Sequence, residues 1–172
     1  MDIAIYEIDK IWKKINRNMI KNFVDIMCAS QDKLIIGLGV GRMGYSMSSF
    51  IMRLSHLGFN TYMLGDTSLP RVNKNTIVLV NSSSGETKSI LLHVKQCKQV
   101  GSFVILFTTN INSKIAKISD FVIEVPKIKS KQIMKTIYEQ FTLIFFDYLI
   151  SKLIINLKMN ISLIENNHSI LE

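Results

Sequence analysis

Five short runs of mainly apolar, β-branched-rich residues recur along this chain, each bounded on at least one side by Gly, Ser, Asn or Asp: 34–38, 61–64, 77–80, 103–107 and 121–125. Most lack polar alternation, the pattern of strands covered on both faces of a parallel sheet. Residues 42–56, 86–100 and 113–119 lie between them and are long enough for helices. The alternation predicts a doubly wound α/β fold. The connection 65–75 is short, polar and contains Pro70, which predicts a loop or single helical turn in place of a crossover helix.

Residues 2–29 place Ile5, Ile8, Ile11, Trp12, Ile15, Met19, Ile20, Phe23 and Ile26 at three- and four-residue steps, with Lys10, Lys13, Lys14, Arg17 and Lys21 largely between them. This predicts one amphipathic helix whose basic face is solvated. Near the other end, a long apolar helix is predicted over about 133–157. Its greasiest part, 141–157, is interrupted by Asp147 and Lys152 and falls short of the roughly 20 apolar residues of a membrane span, so it reads as a core helix.

A chain of 172 residues can bury its apolar surface around one core, and it reads as one domain: a helix over 1–30, an α/β core over 34–126, then helices and a tail over 131–172. Cys28 and Cys97 supply neither a disulfide framework nor a zinc cluster, and the first residues carry acids where a secretory signal would carry lysines. Both point to the cytoplasm. The net charge of +8 suits nucleic acid, an anionic membrane or a small anionic substrate. The basic face of the N-terminal helix reads as a solvated surface and not as a base-stacking platform, so nucleic acid is not expected.

Two loops carry the chemistry. Gly39-Val40-Gly41-Arg42-Met43-Gly44 follows the first strand and opens a helix, matching the Gly-x-Gly-x-x-Gly dinucleotide pattern, with Asp66 placed downstream where an acid would hold a ribose. Its physical content is broader, since glycines and a helix amino terminus admit any phosphate. After the third strand, Asn81-Ser82-Ser83-Ser84-Gly85-Glu86-Thr87 clusters hydroxyls around a glycine at a second helix start. The same residues also suit a plain helix cap. Two such loops at adjacent strand ends favour a small phosphorylated ligand over a long cofactor.

Ser82-Ser83-Ser84-Gly85-Glu86-Thr87 resembles the phosphate loop of sugar isomerase (SIS) domains. More narrowly, residues 39–45 and 52–59 resemble 6-phospho-3-hexuloisomerases, as do 65–70, which are similar to a Gly-Glu-Thr-Thr-Thr-Pro stretch, 132–140, and the terminal His168-Ser169-Ile170-Leu171-Glu172. The resemblance runs from about Leu34 to Glu172. It implies a flavodoxin-like αβα sandwich on a five-stranded parallel sheet, a homotetramer, no metal or other cofactor, and interconversion of 3-hexulose 6-phosphate with fructose 6-phosphate. By motif position it implies phosphate on Ser82, Ser84 and Thr87, further substrate contacts from Gly41, Arg42, Ser83, Thr67 and Ser68, Glu139 as the base, and His168 as a proton shuttle entering from the chain terminus. Met43 stands where the family usually has Ser, Ser83 where it has Gly, Ile133 where it has Pro and Lys135 where it has Gly.

Isomerisation through an enediolate needs a base that removes a carbon-bound proton and returns it to the neighbouring carbon. Glu139 suits this if Tyr138, Phe141 and Phe145 partly desolvate it. Lys135 would place a cation beside it, and Arg42 would steer phosphate or pair across an interface. Two other functions stay open: a non-catalytic phosphosugar sensor, for which the residues before the first strand are too few to hold a DNA-reading module, and a small dinucleotide-binding protein. Arg53, His56 and His93 read as structural.

Overall fold

The computed structural model describes residues 2–167, without the side chains of residues 163, 165 and 166. Strands β1 (Leu34–Gly39), β2 (Asn60–Met63), β3 (Thr76–Asn81), β4 (Phe103–Thr108) and β5 (Phe121–Glu124) form one all-parallel sheet in the order β2-β1-β3-β4-β5. Each coincides within a residue or two with one of the apolar runs. Side chains alternate across this sheet, so each run feeds two cores. Ile35, Ile77, Leu79, Ile105, Phe107 and Ile123 enter one; Ile36, Leu38, Val78, Val80, Val104 and Leu106 enter the other.

On the first face lie α1 (Asp2–Lys14), α2 (Arg17–Cys28), α3 (Gly41–His56) and α5 (Thr136–Asn156); α4 (Lys88–Gln99) and a 3₁₀ turn (Ala116–Ile118) cover the second. The flavodoxin-like three-layer sandwich is therefore as expected. Phe107 anchors the thicker layer, its ring 5.6 Å from Phe23 and 5.0 Å from Phe146. Burying side chains of this size contributes roughly 1.5–3 kcal/mol each. The apolar segment 141–157 lies in α5 and its C-cap residue Leu157, packed on this core, and among the described residues no helix is long and apolar enough to cross a membrane.

Four details depart from the expected elements. The N-terminal segment is two helices, because Asn16 adopts an extended backbone and its side chain accepts the Asn18 N–H at 2.9 Å, starting α2 afresh. The Arg17 guanidinium then folds back 3.6 Å over the Trp12 ring. The helix expected from residue 86 begins at Lys88, since Thr87 is extended and the Glu86 carboxylate accepts the Lys114 N–H at 2.8 Å. Residues 113–119 form only the 3₁₀ turn, with Ser113 Oγ accepting the Ala116 N–H. Met134, at φ 53°, delays the start of α5 to Thr136. The 65–75 connection is irregular, as its proline suggests, and α6 (Ile161–Asn166) ends the described elements.

Candidate functional site

In the order 2-1-3-4-5 the winding direction reverses between β1 and β3, and both polar loops leave the carboxyl ends of those two strands. A crevice at such a reversal is where open α/β sheets take ligands. The first loop is tight because Gly39 and Gly44 touch: a Cβ on Gly39 would come within 2.9 Å of Gly44 Cα, and one on Gly44 within 2.9 Å of the Gly39 oxygen. Gly41 has φ 57°, and α3 starts there with no side-chain cap.

The second loop is braced from within. Ser82 Oγ accepts the Gly85 N–H at 3.2 Å and lies 3.4 Å from Thr87 Oγ1, while Ser84 Oγ accepts the Glu86 N–H at 3.2 Å. A hydroxyl that accepts still has its own proton to donate. The end of β4 and the segment after it hold the loop from outside: the Ser83 carbonyl accepts from Thr109 N, Thr108 Oγ1 and Thr109 Oγ1 at 3.0, 3.0 and 2.9 Å, and Ile115 N donates to the Gly85 oxygen. The α4 amino terminus has no side-chain cap, so its first N–H groups face out beside these hydroxyls. The arrangement can bind an anion through neutral donors and a helix dipole.

Asn81, buried at the end of β3, joins the two loops to α5. Its Nδ2 donates to the Met43 oxygen at 3.1 Å and to Ser46 Oγ at 2.9 Å, and its Oδ1 lies 2.7 Å from the Tyr138 hydroxyl, which is also 2.9 Å from the Phe107 oxygen. Burial pushes the Tyr138 phenol well above its usual range, so it stays a neutral hydrogen-bonding strut. Met43, in place of a hydroxyl, takes the Ser83 N–H on its sulfur at 3.4 Å. Asn81 and Tyr138 were not among the sequence candidates. The one available signal was an amide closing an otherwise apolar strand.

Glu139 follows Tyr138 on α5 and lines a 370 Å³ pocket with Arg42, Tyr45, Ser46, Gln140 and Leu143. Its surroundings differ from the expected ones. Tyr138, Phe141 and Phe145 point into the core, and Glu139 is instead ion-paired, Arg42 Nε to Oε2 at 2.6 Å, with the carboxylate side chain 15% and the arginine 65% exposed. Lys135 lines a separate 160 Å³ pocket with Ser83, Thr109, Gln132 and Tyr138, so the cation at the carboxylate is Arg42. Thr67 and Ser68 are exposed in the connection after the edge strand β2, and among the described residues no hydrogen bond ties them to either loop. Asp66 accepts the Met63 N–H at 2.8 Å within its own turn, which engages the carboxylate that the dinucleotide reading needs for a ribose. His168 lies outside the described residues. Among those residues no group of three His, Cys, Asp or Glu side chains could hold a metal ion.

Fold and loops together define a doubly wound α/β protein with two glycine- and hydroxyl-bearing loops at its switch point. The chain belongs to the SIS domain family, whose model matches residues 30–148. It is 32% identical over 153 residues to the 3-hexulose-6-phosphate isomerase of Methanocaldococcus jannaschii, covering 88% of this chain and 83% of that one. It is 35% identical over 128 residues to the protein of the same name from Bacillus subtilis, covering 69% of each. A crystal structure of a hypothetical protein from Methanococcus jannaschii, inferred to be a 3-hexulose-6-phosphate isomerase, superposes with a TM-score of 0.88 at 30% identity, covering 99% of this chain and 98% of that one.

Proposed function

We propose that this protein is a sugar-phosphate isomerase, a single SIS domain spanning residues 1–172, that interconverts 3-hexulose 6-phosphate and fructose 6-phosphate. The observation that carries the reading is the polar chain through Asn81 and Tyr138, which links both glycine and hydroxyl loops to the helix turn bearing Glu139. The named relatives support the choice of substrate.

In this reading the phosphate sits on the hydroxyls of Ser82, Ser84 and Thr87 and the first N–H groups of α4, with Ser83, Gly41, Arg42, Thr67 and Ser68 around the rest of the ligand. The dianionic phosphate draws the Arg42 guanidinium from the Glu139 carboxylate, leaving that carboxylate to act. Glu139 removes the proton on carbon 2 of 3-hexulose 6-phosphate. The electron pair forms the enediolate across carbons 2 and 3, and Glu139 returns the proton to carbon 3. The hydroxyl proton moves from oxygen 2 to oxygen 3, a transfer assigned to His168. No metal or cofactor takes part, the protein works as a homotetramer, and its place is the cytoplasm.

The test is solvent deuterium incorporation into fructose 6-phosphate in heavy water. Wild type should label the sugar, and Glu139→Gln should bind it but exchange at least ~100-fold more slowly. Near wild-type exchange by the variant removes Glu139 from the role. A second reading, a phosphosugar sensor, is favoured by the Arg42–Glu139 pair itself, which occupies the carboxylate. Tight binding by wild type without exchange on any hexulose or pentulose phosphate would select it.

A further inference from the structure

Among the described residues, two buried side-chain oxygens have no hydrogen-bond partner: Ser83 Oγ and Gln140 Oε1. Folded proteins leave few such atoms, because an amide oxygen withdrawn from water with no partner destabilises the fold that holds it. Both lie at this crevice. Ser83 lines the 160 Å³ pocket and Gln140 the 370 Å³ pocket, on either side of the first turns of α5.

The groups around Gln140 are already engaged. Arg42 pairs with Glu139, and Ser46 Oγ accepts from Asn81 and lies 3.1 Å from the Met43 oxygen and 3.5 Å from Thr142 Oγ1. A leucine at this helix position would pack without an unsatisfied atom, so the amide is a cost that the free protein does not recover. Rotating it about its terminal torsion breaks no hydrogen bond, and a ligand entering the pocket can draw it out. Its oxygen needs a donor. In the free protein Arg42 pairs with Glu139, so no unpaired carboxylate in the pocket draws an ammonium group, and a hydroxyl can supply the donor.

We propose that Gln140 is a substrate-contacting residue, its side-chain oxygen accepting a hydrogen bond from a hydroxyl on the carbon chain of a sugar phosphate beside the carbon at which Glu139 acts; this rests on the sugar-phosphate reading above. The anion cradle recognises phosphate on any monoester. Gln140 supplies recognition of the polyol, and so separates sugar phosphates from other phosphorylated molecules.

Calorimetry with fructose 6-phosphate and with inorganic phosphate tests this. Gln140→Met, which keeps length and helix propensity but loses the amide, should weaken fructose 6-phosphate roughly tenfold and leave inorganic phosphate unchanged. Gln140→Leu should do the same, and the unchanged phosphate affinity certifies that either variant is folded. Among singly deoxygenated fructose 6-phosphates, one should bind wild type as weakly as the parent sugar binds Gln140→Met, and should lose nothing further in that variant. Equal fructose 6-phosphate affinity in wild type and both variants overturns the role of Gln140 alone, while a parallel loss of phosphate affinity makes the residue structural. If wild type binds fructose 6-phosphate no better than inorganic phosphate, the sugar-phosphate reading falls, and this inference with it.

Discussion

Gly85 and Gly41 both sit at positive φ, 63° and 57°, but in different surroundings. A Cβ on Gly41 would meet nothing within 4 Å, whereas one on Gly85 would overlap Ser113 Oγ and come within 2.6 Å of Ser113 Cβ. Gly41→Ala should therefore cost only the left-handed backbone penalty, about 1–2 kcal/mol. Gly85→Ala adds overpacking of about 1–3 kcal/mol and pushes the hydroxyl loop away from the 108–115 segment. Urea denaturation of the two variants measures the difference; equal losses would mean that Ser113 moves aside freely. At this scale the loops were legible, because Gly and Ser spacing reports backbone chemistry that is local. Asn81, Tyr138, Gln140 and the Arg42–Glu139 pair were not. Tyr138 reaches Asn81 across 57 residues, and nothing in either neighbourhood announces the other.

The same limit shows in the connection from β5 to α5. Glu7, on α1, is 4% exposed and accepts from Lys131 N at 2.7 Å, Ser130 Oγ at 2.8 Å and Gln132 Nε2 at 3.0 Å, pinning that connection across more than 120 residues. In sequence it was one acid in an amphipathic segment. The hydrogen bonds from Gln132, from the Lys131 N–H and from Ser130, with Lys10 nearby, hold its carboxyl below the usual glutamate range. A depressed folded-state pKa gives stability that is present above the unfolded value of about 4.3 and is lost as pH falls through the folded one. Glu7→Gln should thus unfold at lower urea than wild type at pH 7, and the two midpoints should converge as the pH drops below 4. A gap that persists at low pH would assign the loss to shape. Strands and most helices were legible because hydrophobic period is local. The break at Asn16 was not, because Ile15 keeps the helical step on both sides of it.

At the scale of the molecule, the alternation of buried runs and helices was enough to place the sheet, since parallel strands need crossovers and the crossovers cover both faces. What it left open is the outer surface of α5. That helix is apolar around most of its circumference, and the sheet side takes Phe141, Phe145, Phe146, Leu149 and Leu153, while Leu143 and Ile144 remain 45% and 54% exposed. A helix of this kind is ordinarily covered on more than one side. Tyr45 on α3 is 79% exposed and shares the Glu139 pocket with Leu143, so the uncovered face and the candidate site adjoin. Association through this face would bury the apolar side chains and close the open side of the pocket, which ties assembly to activity. Light scattering at micromolar concentration should report a homo-oligomer of about four times 19.7 kDa. Leu143→Lys with Ile144→Glu should shift it toward monomer, with deuterium exchange into fructose 6-phosphate falling at least ~10-fold. A 19.7 kDa species with undiminished exchange would show that one chain carries a complete site.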